Sequence, residues 1–181
     1  MKAKIVTGVL AAAMLAVTSG TASATTSYWV RAAGHFSPPN AFVASSALTY
    51  DKGLVPPASS IQVAQHGTES GMTVSLYVRG LVPGHKYGAH VHQKACGADP
   101  KAAGGHYQNV VDPKRVTAEN ELWLDFTADA DGNGSAKVHK SWGLRPGGAG
   151  SIVIHDKPGT SGDRVACFTV PFASISGGSI L

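Results

Sequence analysis

From Tyr28 onward the chain is written as short runs of alternating apolar and polar residues, each cut by Gly, Pro, Asn or Asp before it grows long. Period-two alternation sets one face of each run on a core and the other in solvent, which is the pattern of antiparallel sheet. The runs predict strands at Tyr28 to Ala32, Ala47 to Tyr50, Ser60 to Ala64, Met72 to Arg79, Tyr87 to His92, Leu122 to Thr127, Ser135 to Lys140, Ser151 to His155 and Val165 to Pro171. Between them, "DKGLVPPASS", "LVPGHK", "DADGNGS" and "RPGGAGS" supply the residues that turns require. No window shows helical periodicity. The chain has 22 glycines, 10 prolines and only 14% charged residues, which agrees with many turns and little helix. The expected fold is all-β, a Greek-key β-barrel or sandwich of about eight antiparallel strands.

Ahead of this pattern, Lys2 and Lys4 precede an apolar run from Ile5 to Val17 and a small-residue stretch ending Ala22-Ser23-Ala24. A basic start, an apolar stretch and an A-x-A end are the parts of a secretory signal peptide, so residues 1–24 are expected to be removed. The run falls short of the roughly twenty apolar residues that a bilayer span needs, which argues against an anchor. The protein is therefore expected to be secreted or periplasmic, beginning at Thr25, with no membrane partner after cleavage.

Cleavage takes away two lysines and lowers the formal net charge from +4 to +2. So small a charge, scattered along the chain, gives no sign of nucleic-acid binding. Residues 25–181 have the length of one domain around one core.

Two histidines stand in Ala89-His90-Val91-His92. On a strand, residues i and i+2 share a face, so His90 and His92 present two imidazoles side by side while Val91 points to the other face. His106 follows a loop whose Gly104-Gly105 pair lets the backbone bring a third imidazole back. His155 closes the apolar strand Ile152-Val153-Ile154, where a core strand delivers a side chain to a site at its end. Four neutral imidazoles suit copper, zinc or nickel and poorly suit calcium or magnesium. The remaining histidines are expected to be surface residues: His66 and His85 beside glycines in turns, His139 in a polar alternation, His35 in the N-terminal segment.

There are two cysteines, Cys96 and Cys167. An even count in an exported chain points to one disulfide. Closing a span of 71 residues stabilises by roughly 4 kcal/mol on chain-entropy grounds. A metal-thiolate role for Cys96, close to the histidines, is the alternative, and an oxidising compartment disfavours it.

The block "GLVPGHKYGAHVHQ", the loop ending "GGHYQN", and the segments "FTADADGNGSAKV", "SIVIH" and "GTSGDRVAC" follow one another in the order, and with the character, of exported bacterial copper/zinc superoxide dismutases. The chain resembles that family from about Met72 to Val170, and residues 25–70 resemble it only loosely. The resemblance implies an eight-stranded Greek-key barrel and a copper held by His90, His92, His106 and His155. It also implies a Cys96–Cys167 disulfide, and Arg164 as the arginine that attracts and orients superoxide.

In the family the residue at His106 bridges copper to zinc, and two more histidines and an aspartate follow. Here "YQNVVDPKRVTAENELWLDF" contains no histidine, and only "DKPGTSGD" lies between His155 and Arg164. Both departures resemble the copper-only branch of the family, which implies that the zinc site is absent. His106 then needs another partner for its second ring nitrogen, since a ligating imidazole is normally oriented by a carboxylate, carbonyl or water. Glu121 is the candidate, with Glu119 and Asp112 as alternatives.

The expected function is that of an exported copper-dependent superoxide dismutase, converting superoxide to dioxygen and hydrogen peroxide by Cu(II)/Cu(I) cycling. By the same resemblance His106 releases the metal and carries a proton in the reduced step. Arg164 supplies a permanent positive charge beside the open position. Lys94 and Lys157 are expected to be solvated charges that can extend its field. The alternative is an exported copper-binding or copper-buffering protein with weak or no dismutase activity. Arg164 argues against it, because storage needs no anion-guiding charge.

Overall fold

The alternation read from the sequence takes shape in a computed structural model that describes residues 27–176 and 179–180. The expected signal peptide, residues 1–24, lies outside the described residues. One sheet is antiparallel and contains β1 (Ser27–His35), β3 (Ser60–Thr68), β4 (Gly71–Arg79) and β7 (Gly134–Lys140), in the order β1-β3-β4-β7. The other contains β2 (Ala47–Thr49), β5 (Lys86–His92), β6 (Phe126–Thr127), β8 (Ser151–His155) and β9 (Arg164–Thr169), in the order β2-β9-β8-β5-β6. A short hairpin, β10 (Ile175–Ser176) with β11 (Ser179–Ile180), stands apart. The pairings β4 with β7 and β2 with β9 join strands distant in sequence, as a Greek key does. The fold is an all-β sandwich, and among the described residues its two sheets are not joined by strand pairing into a closed barrel.

Each expected strand has a counterpart. In β4 the alternation is visible residue by residue: Met72, Val74, Leu76 and Val78 are buried, while Thr73, Ser75 and Tyr77 are partly exposed. They meet Val91, Ile152, Ile154 and Phe168 of the second sheet in one apolar core. Burying such side chains contributes about 1.5–3 kcal/mol each. The segment before the family resemblance joins this core, with Phe36 only 1% exposed.

Three details differ from the sequence reading. The first strand runs to His35 and the third to Thr68, so His66 lies within a strand and not in a turn. His85 is partly buried, its Nε2 2.8 Å from the Asp156 carbonyl, and is not a plain surface residue. The run Leu122 to Thr127 is strand only at Phe126–Thr127. Val91 N still donates to Leu122 O and Leu124 N to Ala89 O, but Ala89 N donates to the Asp125 carboxylate at 2.9 Å. A side chain thus replaces a backbone acceptor and interrupts the ladder.

Strand β8 is buried along its whole length because both its faces are covered. Ile152 and Ile154 point into the main core, while Val153 packs with Cys167, Ala103 and Cys96 in a second small cluster. The chain after β5 therefore folds back over the outer face of the second sheet.

Candidate metal centre

Cross-strand pairing places the expected histidines together. In β5 and β8, His90 pairs with Val153, His92 with Ser151, and Gly88 with His155, so all share the outer face of the sheet. His106 reaches the same spot from the covering loop through a bridge to His92. One ring nitrogen from each of His90, His92, His106 and His155 lies within 4.8 Å of the other three. Among the described residues this is the sole such group of three or more His, Cys, Asp or Glu side chains.

Two local devices shape this spot. The register of β8 against β9 shifts between Ile154 and His155, so that His155 stands opposite Arg164; bulges of this kind re-aim side chains beside sites. At Gly88 a Cβ would lie 2.5 Å from the Lys157 carbonyl and 3.2 Å from the His155 Cβ. Only a glycine lets the segment after β8 close down on the strand end.

Three of the four outward nitrogens are hydrogen-bonded to an acceptor, and that of His90 faces a carboxylate at ion-pair distance. His92 Nδ1 donates to the Gly104 carbonyl at 3.0 Å and His155 Nδ1 to the Gly162 carbonyl at 2.9 Å. His106 Nδ1 lies 2.6 Å from Glu121 Oε2, and His90 Nε2 lies 3.0 Å from Asp125 Oδ1. Carbonyls and carboxylates only accept, so each outward nitrogen carries the proton and each inward one presents a lone pair. Four lone pairs converging on one point repel unless a cation sits among them, and the donor set fits a copper or zinc ion.

Burial, assisted by the positive charge of Arg164, keeps two rings neutral, the state a ligand needs. Desolvation pushes His92 down to about 2 and His155 down to about 4. Burial alone would raise the Glu121 carboxyl, but hydrogen bonds from His106, Trp123 and Gln108 hold it below the usual carboxylate range. Asp125 behaves alike: burial pushes it up, and donors from His90, Ala89 N and Gly159 N bring it below its ordinary value.

Glu119 and Asp112, the alternatives to Glu121, do not reach His106; Glu119 is exposed, and Asp112 accepts from Lys114 N. Asp125 is the residue that the sequence reading missed. It ties His90 to the backbone of β5 and, through Gly159 N at 2.9 Å, to the loop after β8. Its signal in the sequence is faint, because its partners lie more than thirty residues away in both directions.

Arg164 opens β9 and donates Nη1 to Pro100 O and Nη2 to Gly104 O, both at 2.7 Å. The same Gly104 carbonyl accepts from His92, so one backbone oxygen holds both the arginine and an imidazole. Pro100, Lys101, Gly162, Asp163 and Arg164 line a cavity of about 430 Å³ beside the cluster. Lys94 and Lys157 are exposed. The Cys96–Cys167 disulfide is formed, with a Cα–Cα separation of 5.8 Å. It excludes the thiolate alternative and ties the covering loop to β9.

A four-imidazole pocket in a β-sandwich, with an arginine anchored at its edge, has a donor set that could hold a metal ion. The family model for copper/zinc superoxide dismutase matches residues 58–170, more than half of the chain. The chain belongs to that family. Among solved structures, a double mutant of a SOD-like protein from Bacillus subtilis is similar at 21% identity, with 62% of this chain and 88% of that one covered and a TM-score of 0.43. None of the curated proteins matches the chain.

Proposed function

We propose that the protein is an exported superoxide dismutase of the copper-only kind. Two superoxide anions and two protons become one dioxygen and one hydrogen peroxide. The observation that carries this reading is the convergence of four inward-facing imidazole nitrogens, each oriented from behind, next to a guanidinium held at the rim of an open cavity.

His90, His92, His106 and His155 would hold the copper. When bound, copper supplies a one-electron couple between two oxidation states, which zinc lacks. Arg164 attracts the anion and fixes its approach, because its charge is permanent and its position is set by two carbonyls. His106 is the most solvent-reached of the four rings, with 15% of its side chain exposed, and is therefore the ring placed to exchange a proton with water. Glu121 orients that ring and balances its charge when protonated.

Two features support a single-metal site. The outward nitrogen of His106 is taken by Glu121, and around it Gln93, Gln108 and Val116 line a cavity of about 240 Å³ without a further histidine. Export is supported by the disulfide, which persists in oxidising compartments. No helix among the described residues is long and apolar enough to cross a membrane.

Electron paramagnetic resonance of the Cu(II)-loaded protein tests the assignment of ligands. Four nitrogen donors are expected, and His92→Ala or His155→Ala should each remove one. A spectrum with two nitrogens or fewer would contradict it.

A further inference from the structure

The outward face of the four-stranded sheet, away from the metal centre, carries Arg31, Arg79 and Lys137 and no acidic residue among its strand positions. Residues 25–181 sum to +2; this face supplies +3 and leaves −1 for everything else. None of the three cations has an acidic partner among the described residues. This face therefore carries a net positive charge with no acid on its strands to offset it.

The register gives that surface a shape. One cross-strand row reads Arg31, Ala64, Ser75, Lys137. Its two central residues are small and its ends are cations, which makes a trough roughly 14 Å long at ordinary strand spacing. The neighbouring rows raise its walls, with Trp29 on one side and Tyr77 on the other. Hollows of about 360 and 160 Å³ run along it and share Ala64 and Ser75 as floor. Trp29 is 61% exposed, stacked on His66 at 4.2 Å between ring centroids, with the Arg31 guanidinium 5.4 Å from its ring centre. The Arg79 guanidinium lies 4.9 Å from the centre of the Tyr77 ring.

We propose that this trough binds an acidic polysaccharide, a sugar polymer bearing carboxylates. Aromatic walls take the apolar faces of sugar rings, Gln62 and Ser75 offer hydrogen bonds to hydroxyls, and the terminal cations take the acid groups. A second copy is disfavoured, because a symmetric pairing would press two acid-free basic faces together. Three cations are few for binding driven by a nucleic-acid backbone, and a concave trough suits a chain better than a flat lipid surface.

Titration calorimetry of the copper-loaded, disulfide-oxidised protein with alginate oligomers tests it, with neutral dextran oligomers as the comparison. Alginate should bind and dextran should not. Arg31→Gln combined with Lys137→Gln should weaken alginate binding by about tenfold, and Trp29→Ala by about threefold. Lys52→Gln combined with Lys86→Gln removes the same charge elsewhere and should change it by less than about twofold. Arg31→Lys with Lys137→Arg should restore binding, which separates charge from misfolding. Equal loss in both charge-removing doubles, absence of alginate binding, tighter binding to phosphatidylglycerol vesicles, or self-association through this face would each overturn the proposal.

Discussion

Glu121 Oε2 lies 2.6 Å from Nδ1 of His106, and the Glu121 side chain is 1% exposed. A carboxylate so deeply buried keeps its charge because Gln108 Nε2 and Trp123 Nε1, each at 2.9 Å, donate to it as well. The pair gives the ring that would face zinc elsewhere in the family a partner from the protein itself.

Replacing Glu121 with Gln should lower copper affinity or turnover by about 10- to 100-fold, the usual cost of losing the group behind a ligating imidazole. Competition with a chelator of known affinity and a superoxide assay measure the two quantities. Unchanged values in both would remove Glu121 from the site.

Arg164→Gln should keep copper content and lose about tenfold or more of the rate at low salt, since electrostatic steering is worth that much or more in association. The remaining rate should respond less to ionic strength. Arg164→Lys keeps the charge without the fork that grips Pro100 O and Gly104 O, so it should retain salt dependence while losing part of the rate.

How much of this was open to inspection in the sequence depends on range. His90 and His92 follow from strand periodicity alone, and His155 from its place at the end of an apolar run. Glu121 follows only from the family resemblance, because "ENEL" ends near where the family's zinc-binding aspartate would fall. Asp125 follows from neither, because its bonds to Ala89 N and Gly159 N exist only once β5, β6 and the loop after β8 are side by side. The same carboxylate explains why Leu122 to Thr127, apolar and alternating, falls short of a full strand. His66 was misplaced for a local reason: Gly67 beside it reads as a turn, yet it sits in β3 with the Tyr28 ring packed where a side chain would be.

Removing the disulfide with Cys96→Ser and Cys167→Ser should cost roughly 4 kcal/mol of stability, the entropy of a closure spanning 71 residues. Denaturant unfolding of the oxidised and double-substituted proteins measures it. Because Cys96 leads into the turn that supplies Pro100 O and Gly104 O, the variant should also lose activity at temperatures where it remains folded.

The metal-free protein should weaken in mild acid. His92 and His155 are depressed to about 2 and about 4 in the fold, while the unfolded chain takes up their protons near pH 6.5. Below that pH the unfolded state binds more protons, so stability falls as pH drops, by up to about 1.4 kcal/mol per unit for each group. The decline continues to about pH 4 for His155 and about pH 2 for His92. Glu121 and Asp125, held below their ordinary values, add a loss at more acid pH as they too protonate. Urea unfolding between pH 7.5 and 4.5 should show this slope, and a flat profile would contradict the neutral buried rings.

The most direct measurement is metal content and dismutase rate of the disulfide-oxidised protein reconstituted with copper alone and with copper plus zinc. The account predicts one copper per chain and full turnover without zinc. Copper bound tightly with negligible turnover, or activity that appears only when zinc is added, would contradict it.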